Sequence, residues 1–475
     1  MNSKSRKYFA LLSLIFILSM HGCDSNSQSL SQHELIEDLD FLNNAITKGH
    51  PINLNNAWAS ELEPYIGQIK TQNLKELNAF EYENIIRKAL THIGCAHTTI
   101  IESPLSKIYM HQIGSNVYIP IRCFADSSGL YLIDANSDAT NQQIDFPVKI
   151  ISINNMTASE IVDKIIVYQA VDGYHKTLGY SIINDYSEIL IRRCFIGQKE
   201  FNIIYENEGG KEAALNVNAV KEYAPNKFQY FQPKSEALIS GESIALYLLN
   251  QKALYLSMKS MDYENFKHIN KQIFQKIEDK YIENLIIDLR GNGGGNPKST
   301  LDFLSYVLDD TLAQIDIRPK ANVSNFLSSQ LKLAGVWFWQ IITPHFKTAA
   351  GTHYITGITY PKDNRYSGKI FVLTDGYTAS SAAALCAYLK HKAGAICIGQ
   401  ETAGGETGCN ANSFQTLTLP YSLITINFPL FRWNNNLSIP ENHHGVVPQH
   451  KTQYNANLYL QNKDLEMEKV FCLLD

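Results

Sequence analysis

Residues 369–405, KIFVLTDGYTASSAAALCAYLKHKAGAICIGQETAGG, constrain the fold more than any other stretch of this chain. Ile370, Phe371, Val372 and Leu373 form an apolar run of strand type. Thr374, Asp375 and Gly376 break it. Thr378 is placed to cap a helix, and small helix-forming residues run on from Ala379. A strand that stops, turns sharply and hands over to a helix is a βα unit. Two serines, Ser380 and Ser381, fall in its first helical turn. The leading N–H groups of a helix lack partners within it, and the helix dipole favours negative charge there. A hydroxyl at Ser380 then stands at the mouth of a sheet, and the Ser381 N–H is open to an oxyanion. The competing reading is a plain βα unit whose small residues serve close packing.

A second stretch bears on that choice. Residues 284–295 read NLIIDLRGNGGG, an apolar run followed by Asp-Leu-Arg and a glycine-rich loop. Glycines let a backbone approach a ligand closely and leave N–H groups unpaired. A phosphate loop needs glycine directly before Lys-Ser/Thr. Here Pro297, which has no N–H, precedes Lys298 and Ser299.

Together the two stretches resemble the tail-specific, or C-terminal processing, serine peptidases and their tricorn-core relatives. The family signature, Asp-Leu-Arg-x-Asn-x-Gly-Gly, is matched in full by residues 288–295. Its nucleophile turn, Ser/Thr-x-Ser-x-Ser/Ala-Glu, is matched by residues 378–383 except that Ala383 stands where the Glu belongs. The resemblance spans nearly the whole mature chain and implies an α/β fold. Its core, residues 243–475, would be a crotonase-like β/α spiral. The processing branch carries a lysine base in a turn twenty-five residues after the serine. That position is Gly405 (380 + 25), so the lysine is absent. A serine without a base is a poor nucleophile. Lys390 and Lys392 lie too near the serine in sequence to replace it. The tricorn-like branch uses a histidine after the helical region, which here is His97. The resemblance further implies an orienting carboxylate at Glu441, in a Glu-x-x-Gly-x-x-Pro-like turn. The hydroxyl usual beside the histidine is Ala96 here, leaving Cys95 or Thr98 to substitute. The oxyanion hole is expected from the Ser381 N–H and a loop N–H of Gly293 or Gly294. Asp288 and Arg290 are read as bracing the loop. Glu441, His443 and His444, with His450 near, could be taken for a metal site, but one short loop without helical spacing is a poor ligand set. No metal and no cofactor is assigned.

The N-terminus has the form of an exported leader. Lys4, Arg6 and Lys7 precede an apolar segment too short for a confident membrane span. Gly22-Cys23 then resembles a bacterial lipobox, with Cys23 lipidated after removal of residues 1–22. Residues 23–32 form a polar tether. The expectation is a lipid-anchored protein of the bacterial cell envelope, with simple secretion as the alternative. Without Cys23 seven cysteines remain, an odd number, and no C-x-x-C occurs among them. The net charge of -5 gives no electrostatic case for nucleic acid or for an anionic membrane surface.

Residues 33–100 read as an N-terminal helical region, with Leu35, Ile36, Leu39, Leu42 and Ile46 keeping a helical period. Residues 101–235 read as strand-rich. Val148 to Ile153 followed by a helix near residues 159–168 resembles a divergent PDZ-like module, of the kind that takes a peptide as an added strand. From residue 243 strands and helices alternate. The expected activity is hydrolysis of peptide bonds through an acyl-enzyme, with a peptide or protein substrate held in part by its C-terminus. The alternative is a non-catalytic binder of peptides or small ligands on the same fold.

Overall fold

The computed structural model describes residues 29–54, 61–74, 76–112, 117–136, 144–173, 175–319, 326, 330–349 and 351–474. Cys23, the leader and most of the tether lie outside these residues.

Capping chemistry sets the first elements. Helix α1 (Gln32–Gly49) opens on Ser31, whose side chain takes the Glu34 N–H while Glu34 reaches back to the Ser31 N–H. Helix α2 is Leu62–Thr71. Helix α3 (Ala79–Thr91) repeats the capping box with Asn78 and Glu81. Leu35, Leu39, Leu42 and Ile46 are buried as the periodicity predicts. They join a cluster that includes Ile86, Leu417, Ile426 and Phe431, so the helical region is packed onto the core of the molecule.

The second region is a separate antiparallel sheet of β1 (Ile121–Asp126), β2 (Gly129–Ala135), β3 (Val148–Ile153), β4 (Glu200–Glu206) and β5 (Glu212–Asn218), paired in that order. Between its strands run the helices α4 (Ala158–Ile166) and α5 (Thr177–Cys194). The long α5 departs from the strand-rich expectation. It buries Gly179, Ile183, Ser187 and Ile191, spaced by four, a helical stripe hidden by its small and polar members.

Residues 237–474 build a seven-stranded sheet. Its strands are β6 (Ala237–Ile239), β7 (Ile244–Asn250), β8 (Ala253–Met258), β9 (Asn284–Asp288), β10 (Lys369–Thr374), β11 (Ile396–Gly399) and β12 (His450–Lys451), in that spatial order. From β8 to β12 every pairing is parallel. Its strands read as near-continuous apolar runs because helices cover both faces. These include α6 (Phe266–Asp279), α7 (Pro297–Leu304), α8 (Ser380–Lys392) and α9 (Leu465–Leu474). A second sheet contributes Leu312, Cys409, Ala411 and Trp433 to the same core cluster.

Candidate active site

The register of the parallel strands places the two sequence motifs side by side. Asp288 ends β9 opposite Leu373 of β10, so the glycine loop and the serine turn leave the same edge of the sheet. Ligand sites of such sheets lie at the carboxyl ends of the strands. Asp375 staples the two loops. One carboxylate oxygen accepts the Tyr377 and Thr378 N–H groups at 3.0 and 3.1 Å, and the other accepts the Gly291 N–H at 2.9 Å. Sequence reasoning treated Asp375 only as a strand breaker. Thr378 is not the helix cap expected of it: its hydroxyl lies 3.0 Å from the Leu289 carbonyl, and Ala379 takes the cap position without a side-chain bond.

Ser380 adopts φ +50°, a left-handed conformation costly for a residue with a Cβ. Such strain persists where the surroundings over-determine it, and it clusters at functional sites. The surroundings here are two glycines. A Cβ on Gly294, itself at φ +102°, would sit 2.7 Å from Ser380 Cβ and 3.1 Å from the Ser381 nitrogen. A Cβ on Gly404 would sit 2.7 Å from the Ser380 nitrogen and 2.6 Å from Ala383 Cβ. Ala383 therefore has a physical reason to be small: a glutamate there would meet the incoming 402–408 loop.

The expected oxyanion donors divide. The Gly294 N–H is committed to Asn292 Oδ1 at 2.9 Å, so Gly294 is corrected from donor to spacer. Asn292 is buried because its own amide binds the Met258 carbonyl and its carbonyl takes the Ala379 N–H. The Gly293 and Ser381 N–H groups make no hydrogen bond among the described residues. Arg290 braces the loop as read. It is fully buried, 2.8 Å from Asp288 and Asp464 and 3.1 Å from Glu466. Burial alone would raise the Asp288 carboxyl, but the guanidinium beside it holds it below the usual range.

His97 follows α3 in a turn, stacked on Phe414 with ring centroids 5.7 Å apart. It is not in hydrogen-bond contact with Ser380, whose hydroxyl has no partner among the described residues. The buried Nδ1 of His97 is likewise unpaired. What the structure brings to His97 is Asp172 and Cys409, with ligand atoms of all three within 4.8 Å of one another. Asp172 Oδ1 accepts the Ala96 N–H at 2.9 Å, and its buried Oδ2 has no partner. Sequence reasoning missed Asp172. It lies in the irregular segment between α4 and α5, and no motif marks it. Gly405 connects the two halves: Gly404 abuts Ser380, and a Cβ on Gly405 would lie 3.7 Å from Asp172 Cβ.

Glu441 lies on the wall of a small cleft with Asp172, Gly94, His443 and His444. Its carboxylate accepts from Thr407 Oγ1 at 2.6 Å and pairs with Arg432. The Thr98 hydroxyl turns to His50 Nε2, at 2.7 Å, and to Cys95 Sγ. His50 is itself fully buried, and burial drives it down to about 3. Lys390 is engaged away from the serine, 2.6 Å from Glu406 and 3.0 Å from the Val447 carbonyl.

A family model of peptidase family S41 matches residues 252–452, which contain both loops. Among solved structures the chain is similar to mature CPAF, at 13% identity and a TM-score of 0.61, over 93% of this chain and 98% of that one. Mature CPAF complexed with lactacystin matches over the same shares, at 14% identity and a TM-score of 0.60. No curated protein sequence gives a significant match. The structural likeness establishes a shared fold, and the family match covers the serine and glycine loops themselves. Residues 252–452 thus match peptidase family S41 across the serine and glycine loops, and this match supports a serine-type peptidase.

Proposed function

We propose that Ser380 is the nucleophile of this peptidase and His97 its general base. The observation that carries the reading is the left-handed Ser380 held between Gly294 and Gly404 at the carboxyl edge of the sheet. In the proposed cycle Ser380 Oγ attacks the peptide carbonyl and gives its proton to His97. The oxyanion takes the Gly293 and Ser381 N–H groups. The amine leaves with the proton from His97, and water then hydrolyses the ester with His97 again accepting a proton. Catalytic hydrogen bonds are often long before substrate binds, which accommodates the open Ser380–His97 pair. A carboxylate holds the imidazole. Glu441 is the one the family pattern implies, and Asp172 is the one beside the ring. The core is read as a crotonase-like spiral, and the sheet of β1 to β5 as a PDZ-like module that takes the substrate's C-terminus. Lipidation at Cys23 would place the enzyme at the bacterial cell envelope.

A fluorophosphonate probe tests the assignment. Wild type should be labelled on Ser380, Ser380→Ala should lose both label and peptide cleavage, and His97→Ala should be nearly as damaged, since members of such a unit fail together. Label on Ser381, or wild-type turnover in His97→Ala, would overturn it. Absence of any label would favour the non-catalytic binder, for which the missing lysine at Gly405 speaks.

A further inference from the structure

His97, Asp172 and Cys409 come from three different regions: the turn after α3, the segment between α4 and α5, and a strand of the second sheet. Their nitrogen, oxygen and sulfur ligand atoms lie within 4.8 Å of one another. Asp172 is only 7% exposed, and its Oδ2 is a buried acceptor without a partner. His97 Nδ1 is a second buried orphan. Cys409 is 5% exposed, and its sulfur makes no hydrogen bond among the described residues. Buried polar atoms are nearly always satisfied, and each exception asks for a reason. Two orphaned atoms on residues clustered with one thiol ask for a common one.

We propose that this trio binds a single divalent zinc ion, and that the bound ion holds the peptidase off. Three protein ligands of mixed N, O and S type with a fourth position open to water is a zinc donor set. Zinc bonds of about 2.0–2.3 Å set neighbouring ligand atoms roughly 3.5 Å apart. The trio closes to that spacing by side-chain adjustment of about an ångström. The thiol loses its proton to solvent as the Zn–S bond forms, so binding strengthens as pH rises. The inhibitory half rests on the reading of His97 as base: an imidazole lone pair given to zinc cannot accept the Ser380 proton. The binding half does not depend on that reading.

The two halves are read separately on the full-length protein. Cobalt(II) added to the metal-free protein should give a near-ultraviolet thiolate-to-cobalt band at one equivalent, and zinc should displace it. The band should be lost in Cys409→Ser and in Asp172→Asn and kept in Ser380→Ala. Thermal melts establish that each variant is folded, and Cys409→Ala serves if the serine variant is not. No band at one equivalent, or a band that persists in folded Cys409→Ser, overturns the site. In the activity arm, zinc should suppress peptide cleavage and fluorophosphonate labelling, and a chelator should restore both. Stoichiometric binding with undiminished cleavage overturns the inhibition. Stoichiometric binding with no cleavage under any condition keeps the site and instead removes the Ser380–His97 reading.

Discussion

Gly293 and Gly294 are adjacent in sequence and opposite in tolerance. A Cβ on Gly293 meets nothing within 4 Å, whereas one on Gly294 falls against Ser380 Cβ and the Ala379 carbonyl, at a φ that side chains rarely adopt. Gly294→Ala should therefore push Ser380, the proposed nucleophile, out of line with the Ser381 N–H. It should cost about 2.7–4 kcal/mol in transition-state stabilisation, the scale of losing one oxyanion contact. Gly293→Ala keeps its N–H and should cost well under half of that. Single-turnover rates of the two variants check the contrast, and equal losses would contradict it. The same residue scale marks a limit of sequence reasoning. The pattern of residues 288–295 offers Gly293 or Gly294 as the donor, but which N–H is free depends on where Asn292 turns its amide.

Helix α8 carries Ser380 at one end and Lys390 near the other. Glu406 is 5% exposed, and its carboxylate accepts from Lys390 Nζ at 2.6 Å and from His391 at 2.8 Å. Burial pushes this carboxyl up. The bonds and charge of Lys390, with His391 and Asn442, more than reverse that and set it below the usual carboxylate range. A depressed carboxyl stabilises the fold above its unfolded value of about 4.3 and loses that contribution as pH falls through its folded value. Lys390→Met leaves Glu406 buried without its main partner and should destabilise by about 3 kcal/mol. The variant should also lose the part of the acid slope below about pH 4.3 that this pair supplies. Urea melts between neutral and acid pH measure both. This pair was invisible in sequence, because Lys390 was weighed there only as a catalytic base and Glu406 not at all.

The antiparallel module is bound to the core at the turn that leads into Ser380. The Tyr377 hydroxyl donates to the Ser181 carbonyl at 3.0 Å, and a Cβ on Gly376 would lie 2.7 Å from the Thr177 carbonyl of α5. Gly376→Val should part module from core. Activity should fall more than the melting temperature, and limited proteolysis should cut first between residues 219 and 243. Unchanged cleavage by the peptidase would show that this contact does not position the turn. The strands of the parallel sheet were legible because full burial writes them as unbroken apolar runs, and the α1 face because its period is regular. Helix α5 and the Asp172 segment were not: Gly179 and Ser187 disguise the buried stripe of α5, and no motif marks Asp172. The Ser380 turn was found by motif, but its handedness follows from Gly294 and Gly404, far from it in sequence.

Arg290 is gripped by Asp464 and Glu466, so the loop beside Ser380 is anchored in part by residues synthesised after the rest of the candidate site. A chain emerging from the ribosome has made His97 and Asp172 early, Ser380 much later, and the clasp later still. Until that clasp closes, Arg290 has Asp288 as its one carboxylate partner among the described residues, and the loop lacks its C-terminal anchor. A copy stopped before residue 464 lacks both partners and should cleave peptides more slowly than the finished molecule.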